Sequence, residues 1–248
     1  MRDDLLAAQA AVDWAVAEIP RIQSGFLEWQ QKNQYPVVQE PHPDGGGDAA
    51  VVYDKSLPLI YNAWAGAIVN SLRSSLDLLA AALAYRNGKK PNPQRHFPIF
   101  DSLNSFIDPL TGIDGVERKK WLSDSERTAI KALRPYKGGD DTIWPLHELD
   151  ILRKHERLIS ADPEIGGYFM MGRHIVVSGA KAIQRLENKT ILRRLAPGEV
   201  LNASQGNTLL AVHIMLNEAP LGIANEEAIT TLRRFAKRCD EIISLFDR

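Results

Sequence analysis

The stretch "SLPLIYNAWAGAIVNSLRSSLDLLAAALAYRNG" (residues 56–88) constrains the fold more than any other. Tyr61, Ala65, Ile68, Leu72, Leu76, Leu79 and Leu83 recur at three- and four-residue intervals. That spacing predicts a helix over residues 58–87, ended by Asn87-Gly88. A second stripe carries Gly66, Asn70, Arg73, Asp77, Ala80, Ala81 and Ala84, which are small or polar. Small side chains let another helix come close. A helix apolar on one side and small on the other is expected to be buried on both.

The neighbouring segments supply its partners. Residues 3–32 keep Leu5, Ala8, Val12, Ala15, Ile19, Ile22, Phe26 and Trp29 on one stripe, which predicts a long amphipathic helix bent near Pro20 or Gly25. "LSDSERTAIKAL" (122–133) places capping serines before an apolar-periodic run. A helix then follows the turn "RPYKGGDD", and another over about 225–246 presents Ile229, Leu232, Phe235, Ala236, Cys239, Ile242, Ile243 and Phe246. Between these lie β-prone stretches. Val37–Glu40 and Ala50–Tyr53 flank a Pro/Gly-rich turn and predict a hairpin or mobile loop, with Pro36 and Pro41 favouring an edge. Short strands separated by Gly, Asn or Pro predict a small antiparallel sheet over about 166–218. Residues 89–120 read as a long connection in which "HFPIF" anchors its aromatics, and "GGG" marks a flexible point.

The expected architecture is mainly α with a β component (α+β). It is an antiparallel helical bundle over 1–162, with the hairpin or loop near 36–53. A β-rich insertion spans 163–220, and a C-terminal helix over 221–248 returns to the bundle.

Bulk properties exclude more than they assign. The 248 residues carry a formal net charge of −1, which gives no global attraction to nucleic acid or anionic lipid. "RRFAKR" (233–238) is flanked by Glu226, Glu227, Asp240 and Glu241 and reads as a solvated helix face. A single cysteine rules out an intramolecular disulfide and suits a reducing, cytoplasmic setting. The first twenty residues lack a basic-then-apolar signal layout, and no run of 18 apolar residues predicts a membrane span. No GxSxG, GxxxxGK[ST] or GxGxxG is present, and "SGAK" (178–181) matches SxxK without a following KTG. No cofactor and no metal is expected. Partners are left open, and a homo-oligomer is compatible with the pattern.

One cluster invites chemistry. "WPLHELDILRKHERLI" (144–159) holds His147, Glu148, Asp150, Arg153, Lys154, His155 and Arg157. His147 and His155 are eight residues apart, about 12 Å along a helix, too far for one metal to bridge. Ile151 stands where HExxH needs its second histidine. Arg73 and Asp77 are one helical turn apart and can pair. A buried arginine or aspartate is costly unless paired, so His147, Asp150 and His155 are its candidate partners. The weak catalytic candidates are therefore Arg73, Asp77, His147 and His155, set against a purely structural inter-helix network.

Four fragments carry a resemblance: "LRSSLDLLAAALAYRNG" (72–88), "FPIF" (97–100), "ALRPY" (132–136) and "LHELDILRKHERL" (146–158). In order and spacing they resemble a family of uncharacterised bacterial proteins with LRSxLDHL, FPI, LxPY and LHxLxxxDKHRxL segments. The resemblance covers about residues 60–160 and implies a fold without assigning an activity. Leu78 replaces the histidine common in the first motif, and "RKHER" replaces "DKHR". The chain is also distantly similar to HEPN-type helical bundles. However, no arginine here precedes a histidine at their nuclease spacing of four to six residues. Two functions follow as expectations: a non-catalytic binding or assembly protein, or a HEPN-like nuclease or other hydrolase.

Overall fold

A computed structural model describes residues 1–33, 37–52, 57–90, 92, 95–172, 175–180, 184–185, 189–199, 208–221 and 223–247. The fold is a mainly α-helical bundle with a small antiparallel β insertion before the final helix. The chain divides into two compact units, one of residues 1–23, 59–160 and 216–248, the other of 24–58 and 161–215.

In the first unit, a short 3-10 turn (Asp3–Leu5) leads into α1 (Leu6–Lys32), which continues past the unit boundary. α1 runs unbroken through both Pro20 and Gly25, although an interior proline costs a helix about 3 kcal/mol. Burial of Leu5, Ala8, Val12, Ala15, Ile19 and Ile22 offsets that cost, at about 1.5–3 kcal/mol for each large side chain. α2 (Leu59–Arg86) is the central element, with Ile68, Leu72, Leu76, Leu79 and Leu83 fully buried. By length and hydropathy α2 could cross a membrane, but 61% of its most apolar window is buried within the protein.

α1 runs antiparallel to α2. Ser71 donates to the Ala11 carbonyl (2.8 Å), Trp64 Nε1 donates to Glu18 (3.0 Å), and Arg86 holds Asp4. The segment expected as a bare connection contains two short helices, α3 (Leu103–Ile107) and α4 (Val116–Lys119). α5 (Asp124–Leu133) opens on a capping box in which Ser123 and Glu126 satisfy each other's backbone N–H groups. Arg134, in the left-handed region (φ 53°), ends it just before Pro135. α6 (Ile143–His155) begins where Asp140 Oδ1 accepts from the N–H groups of Thr142 and Ile143. The other Asp140 oxygen takes Arg238 (2.7 Å) from α7 (Ala228–Leu245).

α6 is antiparallel to α2, since His147 meets Arg73 and Arg153 meets Asn70. α7 is parallel to α2: Cys239 lies against the Leu72 carbonyl (3.5 Å), and Arg86 reaches the Phe246 carbonyl (2.8 Å). Complete burial pushes the Cys239 thiol up to about 12, so the sulfur is an inert core group.

In the second unit, β1 (Val37–Pro41) and β2 (Gly47–Val52) form an antiparallel hairpin. β2 also pairs with β6 (Lys189–Leu195), which pairs with β5 (Gln184–Arg185), giving the order β1-β2-β6-β5. β1 is thus the edge strand, where Pro41 costs no ladder bond. β3 (Ala161–Gly172) and β4 (Ile175–Ala180) pair in a second sheet, where β3 also neighbours β7 (Thr208–Glu218). Two glycines of the run allow close approach of neighbouring backbone. A Cβ on Gly46 would lie 2.8 Å from the Leu195 carbonyl oxygen, and one on Gly47 2.6 Å from that of Glu40. Pro36, Tyr53 and Lys181 lie outside the described residues, so the SxxK match is not placed.

Candidate functional site

The two-faced character of α2 sets the site. Gly66 lets α6 approach until the Arg153 stem covers it; a Cβ there would sit 2.6 Å from Arg153 Cδ. The guanidinium of Arg153 then reaches Asn70 Oδ1 (2.7 Å). Two turns further along α2, the Arg73 side chain is 4% exposed. Its Nε donates to His147 Nδ1 (3.0 Å), and its Nη1 donates to Asp77 (2.5 Å). Its Nη2 approaches the Phe97 carbonyl at 3.5 Å. Asp77 takes three donors, because the Phe97 N–H (2.9 Å) and His96 Nδ1 (3.2 Å) meet it as well.

These contacts fix protonation states. Nδ1 of His147 accepts from an arginine, so the ring is the neutral tautomer carrying its proton on Nε2. Burial, reinforced by the adjacent Arg73 charge, holds His147 down to about 4. On the outer side, Asp77 orients an exposed imidazole, His96.

Three of the four sequence candidates meet: Arg73, Asp77 and His147. His155 does not join them. It is the last residue of α6 and is exposed, eight residues beyond His147. Asp150, the other expected partner of Arg73, instead binds Lys154 (2.5 Å) and lies 3.7 Å from Arg153. His96 was missed because "HFPIF" reads as a hydrophobic anchor. Phe97 is indeed buried, but the same anchoring delivers the preceding histidine to Asp77.

The four motif fragments converge here. Phe100 forms a parallel bridge with Tyr136, using the Pro135 carbonyl (2.9 Å) and the Lys137 N–H (3.2 Å). Phe106 packs on both rings, at 5.5 Å from Phe100 and 4.9 Å from Tyr136. FPIF therefore docks on LRPY, while LRSSLD and LHELD meet through Arg73 and His147.

Among the described residues, no group of three His, Cys, Asp or Glu side chains is placed to hold a metal. Chemically, the junction can transfer a proton through His96 and Asp77. It can also simply lock three segments together. No protein-family model, curated protein or solved structure matches the chain.

Proposed function

We propose that the chain is a non-catalytic helical protein that acts by binding or assembly. The observation that supports this most is Arg73, the charged centre of the junction, whose three guanidinium nitrogens are all directed to groups of the fold. Each nitrogen spends a donor on His147, Asp77 or Phe97, which fixes the side chain within the fold as a structural lock. The same unit presents large apolar side chains outward. Ile107 at the end of α3, Leu110 in the turn after it and Val116 at the start of α4 are exposed, and Asp108 holds that turn by accepting from Leu110 N–H and Thr111 N–H. Such side chains suit contact with another molecule.

A second reading retains acid–base chemistry, as a HEPN-like nuclease or other hydrolase. It is favoured by the Asp77–His96 pair, a carboxylate-oriented imidazole open to solvent, beside the neutral His147. The pair of readings separates on one experiment. Purified protein is incubated with RNA, single-stranded DNA and activated esters beside a His96→Gln/His147→Gln variant. The binding reading expects no turnover beyond that variant. Turnover lost in the variant while its melting temperature holds would establish the hydrolase reading instead.

A further inference from the structure

A trough of about 400 Å³ separates α1 from α7, floored by Val12, Val16, Ile19, Pro20 and Ala236. The two helices are antiparallel and are clasped at each end of the trough. At one end Gln9 Nε2 donates to Asp13 (2.9 Å) and Asp240 (3.0 Å). At the other, Arg233 donates to Gln23 (3.0 Å). Val16 is 51% exposed in the middle of the floor.

Three observations define what fits. First, the walls are helices, whose backbone N–H groups are already used internally, so they offer little to pair with a ligand's backbone. An occupant must satisfy its own backbone, which selects a helix over an extended strand. Second, the charges at the two ends are opposite and meet only neutral amides among the described residues: Asp13 and Asp240 meet Gln9, and Arg233 meets Gln23. Lys237, between them, is turned to Glu241 (3.8 Å). Arg233 and Asp240 are seven residues apart, about 10 Å along α7. Third, the acidic end is rich in acceptors. Gln9 Oε1 is buried there without a hydrogen-bond partner among the described residues.

We infer that the α1/α7 trough docks an amphipathic helix of a partner protein. That helix carries apolar residues at three- and four-residue spacing, a Lys or Arg at one end and an Asp or Glu about seven residues away. The basic end meets Asp13, Asp240 and Gln9 Oε1, and the acidic end meets Arg233. This deepens the binding reading and rests on it.

The test uses the full chain and two fluorescent synthetic helical peptides with four leucines on one face. One carries Lys and Glu seven residues apart, and the other carries Lys at both positions. Anisotropy titration is expected to favour the Lys/Glu peptide by about threefold, the scale of a rim charge pair. Val16→Asp weakens it by about tenfold at an unchanged melting temperature, because a carboxylate then occupies the apolar floor. Arg233→Glu reverses the preference between the two peptides. Equal binding of both peptides, or binding indifferent to Val16→Asp, overturns the trough assignment. A shift in the oligomeric state of the protein alone on Val16→Asp overturns the partner assignment in favour of a second copy. None of these outcomes touches the turnover assay, so failure of the trough and failure of the binding reading are distinguishable.

Discussion

The α2/α6 and α1/α7 seams are both antiparallel helix pairs with polar side chains along them, yet one is closed and the other open. At α2/α6, Gly66 removes a side chain and Arg153 lays its stem into the space, while Arg73 bonds both Asp77 and His147. At α1/α7 a trough stays open over Val16 and Ala236, and among the described residues the charges at its ends are held by amides. The contrast shows how a bundle of this size divides its polar residues. Those with complementary partners at hydrogen-bond distance rigidify a seam. Those without leave a surface that another molecule can complete.

The largest effect is expected from removing Arg73. Arg73→Met strips the buried partner from Asp77 and His147, and breaking a buried pair from one side costs about 3–5 kcal/mol. For a chain of this length the melting temperature should fall by roughly 10 °C, measurable by calorimetry. A loss within a degree or two would mean that the junction is not the lock described here.

His147 gives the next effect, and its sign is fixed by its depressed pKa. Between pH 6.5 and about 4 the unfolded chain binds a proton that the folded chain refuses. Stability therefore falls as pH drops through that window and flattens below it, by on the order of 3 kcal/mol. Urea melts of wild type and His147→Gln across this range should differ in slope, since a glutamine oxygen can accept from Arg73 without titrating. Parallel curves would place His147 in a more polar setting than its contacts imply.

A smaller effect tests the close approach itself. Gly66→Ala gains helix propensity of about 1 kcal/mol but forces Arg153 off its site. In an Arg153→Ala background the same change should be stabilising, whereas in the wild type it should be neutral or unfavourable. The coupling, about 1 kcal/mol by double-mutant cycle, vanishes if the seam is loose. The smallest stability effect belongs to the open seam: Val16→Asp should alter unfolding free energy by no more than about 0.5 kcal/mol, as an exposed position does. A larger loss would make the trough part of the core and erase the contrast.

The sequence by itself determined the elements whose causes are local. The leucine periodicity of α2, the Ser123–Glu126 cap of α5 and the apolar stripe of α7 are written within a few residues of where they act. So are the pairing of Arg73 with Asp77 and the small face of α2 that would admit a neighbour. The tertiary structure decided what depends on distance between segments. His96 reaches Asp77 only because Phe97 is buried beside α2, nineteen residues downstream. His155 falls outside the junction because α6 ends there. Pro20 stays inside α1 because burial on both sides of it outweighs a lost hydrogen bond. Gly46 and Gly47 are demanded by the Leu195 and Glu40 carbonyls, which no local pattern announces. The trough belongs to the same class. Each wall is legible as an amphipathic helix, but the gap between them exists only once α7 has returned alongside α1.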